Sequence, residues 1–230
     1  MDLYLIRHTR VAASGQCYGR LDVPLADTFP QEAAALEQRI RRLGPLPFYC
    51  SPAARCLRLA ERLGLDPVID PRLQELDFGQ WEGMPWDQIE RPALDAWAAD
   101  FIRRPCPRGE SYAALINRVE AFLGDLAAQG LERAGLITHA GVIRAALVLL
   151  QGVAPEQSLR LPVAFGEPIA LRGVSPAVAA GCPGKYHPTQ GKRPPPPPGR
   201  GAGGEGQPAP LPHGSIAFKQ MTSLTLIDPP

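Results

Sequence analysis

The chain has 230 residues, 45% of them hydrophobic, enough for one domain with a substantial core and an appendage. Lys and Arg number 24 against 23 Asp and Glu, a net charge of +1 that excludes nucleic-acid binding driven by bulk charge. No run approaches the roughly 18 apolar residues of a membrane span, Met1-Asp2-Leu3 lacks the charged and apolar regions of a signal peptide, and five cysteines without a Cys-x-x-Cys read as free thiols in a reducing cytoplasm.

Leu3 to Ile6 is an apolar run and reads as the first strand. Asp27-Thr28 caps a helix with Pro30 near its start, Leu36, Ile40 and Leu43 along one face, and Gly44 just past its end. Leu46 to Tyr49 is a second short strand. Ser51-Pro52 opens a second helix with Leu59 and Leu63 inward and Gly64 as its stop. Val68-Ile69 is a third short strand. Residues 72 to 110, rich in Trp, Pro and Arg, read as an irregular excursion over the sheet face. Ser111 caps a long helix whose Leu115, Val119, Phe122 and Leu126 form an apolar stripe. Gly135 to Thr138 is a strand and Val142 to Leu150 a helix. Strands alternating with helices predict an α/β three-layer sandwich, a mainly parallel sheet with helices on both faces.

The chain then divides. Residues 1–171 form the expected domain. From Arg172 to Pro212, 41 residues hold 11 Pro and 9 Gly, a composition that cannot bury enough apolar surface to offset its ordering entropy. It reads as a disordered insertion or tail, or alternatively a proline-rich ligand for a partner domain. Within 213–230, Ser223-Leu-Thr-Leu-Ile227 alternates weakly and is a candidate edge strand.

Arg7 and His8 follow the first strand directly, Arg55 lies one turn into the second helix, and His139 follows the fourth strand. Strand ends in open α/β sheets are where ligands bind. Two arginines and two histidines converging there, with Glu75 from the excursion, make an anion site whose natural guest is a phosphate ester. Guanidinium forks match phosphate oxygens in geometry and charge, and the first amides of the helix after His139-Ala140-Gly141 favour anions.

Four segments occur together: Arg7-His8 after a strand, Ser51-Pro-x-x-Arg55, Leu73-x-Glu75-x-x-x-Gly79-x-x-x-Gly83, and His139 before Ala140-Gly141. Their kinds and order resemble the histidine phosphatase superfamily, the phosphoglycerate-mutase-like fold, over residues 1 to 165. Cys17-Tyr-Gly-Arg-Leu-Asp-Val-Pro-Leu25 and Leu76-Asp-Phe-Gly-Gln-Trp-Glu-Gly83 look most like its α-ribazole phosphatase branch. Two positions depart from the usual pattern: Thr9 stands where the superfamily usually has Gly, though that branch also has Thr, and Leu59 where Thr is common.

The resemblance implies a phosphomonoesterase acting through a phosphohistidine, with α-ribazole 5′-phosphate of cobalamin nucleotide-loop assembly as the specific substrate. His8 is then the nucleophile, its other ring nitrogen protonated toward a carbonyl. Arg7, Arg55 and His139 hold the phosphate, and His139 stabilises charge on the transferring group. Glu75 is the general acid, with Asp77 and Glu82 as competitors in the same segment. Cys17, Tyr18, Gly19 and Arg20 line the entrance. Tyr18, Trp81 and Trp86 either stack on an aromatic base or pack the excursion against the sheet. Glu110 either orients an arginine or is a helix-start carboxylate. Neither a metal nor a cofactor is expected, since no ligand pair has zinc-like spacing and arginines flank the histidines. The expected partner is a small phosphate monoester, without nucleic acid or membrane. The competing readings are a broad-specificity phosphatase, a phosphoglycerate-type mutase (whose insert around the acid segment is larger), and a non-catalytic phospho-ligand or protein-binding module. The last sheet strand falls in Val163–Leu171, in Ser215–Ile227, or in both.

Overall fold

A computed structural model describes residues 1–174 together with the dipeptide 225–226. Four parallel strands, β1 (Asp2–Arg7), β2 (Phe48–Cys50), β3 (Val68–Ile69) and β4 (Arg133–Thr138), are joined by β5 (Pro168–Leu171), antiparallel to β1, and by β6 (Thr225–Leu226), antiparallel to β5. The order across the sheet is β3-β2-β4-β1-β5-β6. Pairing partners therefore occur in both C-terminal segments considered for the last strand. The remainder of the Pro/Gly-rich stretch and of 213–230 lies outside the described residues.

Helices α1 (Phe29–Leu43) and α2 (Ala54–Arg62) cover one face, and α4 (Tyr112–Ala128) and α5 (Ala140–Gln151) the other. The two-residue period of a strand explains the division. Leu3, Leu5 and Leu136 point into the cluster under α4 and α5, while Ile6 and Ile137 point into the one under α1 and α2. This is the expected architecture. Ser111 caps α4 through Oγ, which accepts from the Ala114 amide at 3.2 Å. At α1 the Thr28 hydroxyl bonds the Glu32 carboxylate instead of a backbone amide.

The ends of β2, α2, β4 and α5 differ from expectation by up to three residues, and two further regions depart from it. The excursion contains a helix, α3 (Arg91–Ala98), besides short 3-10 turns. Its apolar face, Ala93, Leu94 and Trp97, is only partly buried against the satellite core and spans barely two turns, too short a stripe to set a period. The folded unit also runs on through Val174, three residues past Leu171. Arg172 pairs with Asp2, and the Val174 amide donates to the Met1 carbonyl at 2.7 Å.

Register places the chemistry. Arg7 lies opposite Thr138, and Cys50 opposite Ile137. The residues just beyond these pairs, His8, His139 and Ser51, emerge on one edge of the sheet. Backbone bonds continue the pairing there: the His8 amide donates to the Thr138 carbonyl at 2.9 Å, and the Ser51 amide to the Ile137 carbonyl at 3.0 Å.

Candidate active site

His8 leaves β1 with only 2% of its surface exposed. Its Nδ1 lies 2.7 Å from the Thr9 carbonyl. A carbonyl only accepts, so Nδ1 carries the proton and Nε2 is the basic nitrogen. Burial first, then the charges of Arg55 and Arg7, pull this ring down to about 3 against the favourable Thr9 bond. His8 is therefore a neutral imidazole at ordinary pH.

His139, fully buried, stands with its ring centroid 5.2 Å from that of His8. Arg55 Nη2 lies 3.1 Å from its Nδ1 and Ser51 Oγ 2.8 Å from its Nε2. A guanidinium only donates, so Nδ1 accepts and Nε2–H is left to the serine. Burial and then Arg55 push His139 well below the usual imidazole range. Both ring nitrogens are engaged by protein groups. Direct contact between His139 and a phosphate requires the Arg55 bond to open.

Arg55, 1% exposed, is aimed by the carbonyls of Gly19 (2.6 Å) and Leu21 (3.0 Å). Arg7 donates to the Val163 carbonyl at 2.7 Å and lies flat on the Phe165 ring, 3.5 Å from its centroid. Burying cations beside histidines is costly unless something negative arrives. Among the described residues, Arg7 Nε, Arg55 Nε and Thr9 Oγ1 are buried polar atoms without a hydrogen-bond partner. Orphaned donors on the two guanidiniums suit an anion.

Glu75 faces this cluster from the excursion. Its carboxylate accepts from the Leu76 amide at 2.9 Å and from the Gly141 amide, at the N-terminus of α5, at 3.1 Å. It acts electrostatically on Arg7. The competing carboxylates are occupied elsewhere. Asp77 accepts from the Gly79 amide and pairs with Arg20. Glu82 accepts from the amides of Arg20, Leu21 and Phe78, fastening the entrance segment to the excursion.

The entrance residues divide. Tyr18 reaches Arg7, and its ring centroid is 5.4 Å from the Arg55 guanidinium carbon. Gly19 lends its carbonyl to Arg55. Arg20 pairs with Asp77 and Glu110 at the rim. Trp81 is elsewhere, packed edge-on against Trp97 in a satellite core with Cys17, Ile89 and Cys106. Of the two readings of that ring, packing is the one seen. Trp86 packs edge-on against Phe78. A cavity of about 280 Å³ beside Trp81 and Trp97 is lined by Cys106, Arg104 and Arg108, and none of the histidine cluster borders it.

Sequence reasoning missed Phe165, which roofs Arg7 and lies 5.6 Å from the His8 ring. It follows α5 in a stretch without a motif. It also missed Arg118 on α4, the arginine that Glu110 orients through two bonds of 2.8 and 2.9 Å.

Residues 3–172 match the model of the histidine phosphatase superfamily (branch 1). A relative from Hydrogenobacter thermophilus, named provisionally as phosphoserine phosphatase 2, is 29% identical over 67% of this chain and 80% of its own. A Yersinia enterocolitica protein named as a probable phosphoglycerate mutase GpmB is 30% identical over 70% of this chain and 80% of its own. The crystal structure of the α-ribazole phosphatase from Shigella flexneri superposes with a TM-score of 0.67 at 27% identity, over 74% of this chain and 89% of that one.

Proposed function

The chain belongs to the histidine phosphatase superfamily, branch 1, and from that premise we propose that it is a phosphomonoesterase working through a phosphohistidine on His8. One observation carries the reading: a buried, neutral His8 whose Nδ1–H donates to the Thr9 carbonyl, beside the buried Arg55 and the half-buried Arg7, each with an orphaned Nε donor.

In the first step His8 Nε2 forms a bond to phosphorus as the ester P–O bond breaks. The leaving alkoxide takes a proton from Glu75. Arg7 and Arg55 hold the non-bridging oxygens, which is most of what phosphoryl transfer needs. For His139 to stabilise the transferring charge, Arg55 must turn its Nη2 to the phosphate and His139 Nδ1 must take up a proton, so that it donates to a phosphate oxygen. In the second step water attacks phosphorus, its proton passes to Glu75, and His8 departs as a neutral imidazole. Splitting the transfer in two lowers each barrier.

For the substrate we propose α-ribazole 5′-phosphate, in cobalamin nucleotide-loop assembly. The Shigella neighbour and the residues at 17–25 and 76–83 support it. With Trp81 packed in the satellite core, Tyr18 and Phe165, the aromatics against Arg55 and Arg7, are the rings positioned to meet a base. The similarity to a protein named as a mutase supports a second reading, transfer to another hydroxyl instead of water.

His8→Ala is expected to abolish turnover while leaving the fold intact, and rapid acid quench of the wild type to trap an acid-labile phosphoenzyme. Residual activity above a few per cent in His8→Ala rules the mechanism out. Release of free phosphate from α-ribazole 5′-phosphate, faster than from phosphoserine or phosphoglycerate, decides the substrate. Phosphate appearing on an acceptor alcohol selects the mutase reading.

A further inference from the structure

Glu75 sits in a loop without a strand ladder, and its backbone is held by one side chain. Arg118, on the second turn of α4, has five N–H donors, and all five are used on this loop and its support. Nη1 donates to the carbonyls of Arg72 at 2.6 Å and Gln74 at 2.7 Å. Nη2 donates to the Glu75 carbonyl at 3.0 Å and to Glu110 at 2.9 Å, and Nε to Glu110 at 2.8 Å. Glu110 closes the loop from the other side. Its amide donates to the Asp77 carbonyl at 2.8 Å, and its carboxylate accepts from the Asp77 amide at 3.4 Å. Four residues of the acid-bearing segment are thus tied to one ion pair whose side chains are 16% and 11% exposed.

We propose that Arg118, braced by Glu110, is a positioning residue for the general acid: it fixes the Glu75 backbone so that the carboxylate meets the leaving-group oxygen. The inference rests on the reading of Glu75 as that acid. A planar guanidinium with its donors in a fixed fork holds three carbonyls in one geometry, which an ammonium cannot do. A misplacement of about 1 Å in a reacting group costs on the order of a hundredfold in rate. No donor of Arg118 is left for a phosphate, so apart from its charge, which helps depress His139 and which Arg118→Lys retains, its influence passes through the loop. A brace needed for stability alone would have no preference among substrates, whereas a group serving the acid acts only where the leaving group needs a proton.

The test compares kcat/KM on a simple alkyl phosphate and on 4-nitrophenyl phosphate, whose leaving group departs without protonation. Wild type is set beside Glu75→Gln, Arg118→Met, Arg118→Lys, Glu110→Gln and the double variant Glu75→Gln/Arg118→Met, with thermal melting to confirm folding. Arg118→Met is expected to lose about tenfold or more on the alkyl ester beyond its loss on the aryl ester, within the range of general-acid contributions. Arg118→Lys, which keeps the charge and loses the fork, should show the same split. Added to Glu75→Gln, Arg118→Met should cost both substrates equally. If Glu75→Gln splits the substrates and neither Arg118 variant does, the positioning role is overturned while the acid assignment stands. If Glu75→Gln itself shows no split, the acid assignment falls and the positioning role with it. Should Arg118→Met fail to fold, Arg118→Lys and Glu110→Gln decide by the same ratio.

Discussion

Burial and the neighbouring guanidiniums hold His8 down to about 3 and push His139 the same way. The consequence extends beyond catalysis. An unfolded histidine titrates near 6.5, so below that value the unfolded chain binds protons that the native state refuses. Stability therefore rises with pH through this window, is fully present above about 6.5, and is lost as pH falls toward 3. Each histidine contributes a slope of about 1.4 kcal/mol per pH unit. The depressed carboxylates Asp2, Glu32 and Asp70 act in the same direction only at lower pH. Urea midpoints measured between pH 7 and pH 5 should fall steeply, and His8→Gln, which cannot titrate, should flatten the slope. A midpoint that does not move in that range contradicts two buried neutral histidines. The buried cysteines are a counterpoint: burial raises Cys17, Cys50 and Cys106 to about 12, so these thiols are poor nucleophiles.

At the scale of elements, the N-terminus of α5 and the acid loop meet at Gly141. A Cβ there would stand 2.2 Å from Glu75 Oε1 and 3.3 Å from Leu115. In a helix Ala is favoured over Gly by about 1 kcal/mol, so Gly141→Ala should preserve α5 while displacing the carboxylate. We expect an alkyl phosphate to suffer on the order of 10²-fold, with an aryl phosphate much less affected. Steady-state kinetics on the two esters checks this, and an unchanged ratio counts against Glu75 as the acid. The strand ends were legible in the sequence because an apolar run that stops abruptly at Arg-His or Thr-His marks where a buried strand meets a polar mouth. α3 was not, since eight residues with a half-buried face of Ala93, Leu94 and Trp97 are too few to establish a period. Trp81 was ambiguous for a different reason: an indole that packs and one that stacks on a ligand have the same sequence signature. Arg118 was hidden because its partners are backbone carbonyls, which sequence does not label, although Glu110 hinted at an arginine.

For the molecule as a whole, the arginine–histidine cluster is assembled from three separated stretches, residues 7–9, 51–55 and 138–141, united by the register of β1, β2 and β4, and Glu75 joins it from the excursion. Order along the chain was enough to anticipate that convergence. The sequence did not reveal Phe165 closing over Arg7, because that contact depends on where the chain runs between α6 (Pro155–Ser158) and β5. Both His8 Nδ1 and the His139 nitrogens are committed to protein partners, and the positive charge comes from arginine. Activity is therefore expected to survive exhaustive chelation. A loss on EDTA that a divalent ion restores would place the reaction among metal-assisted hydrolyses instead.

The pairing of Val174 with Met1 has a consequence of another kind. The amide and carbonyl of these two residues meet at the N-terminal end of β1, while Arg7 and His8 leave its C-terminal end. Six strand residues separate the two ends, about 20 Å at the rise of an extended chain. The Val174–Met1 pairing and the histidine cluster are thus at opposite poles of β1. A group attached at Met1 therefore has little steric claim on the mouth where His8 emerges. That pole is also where a surface tether would best be attached if the enzyme were to be immobilised with its mouth facing solution.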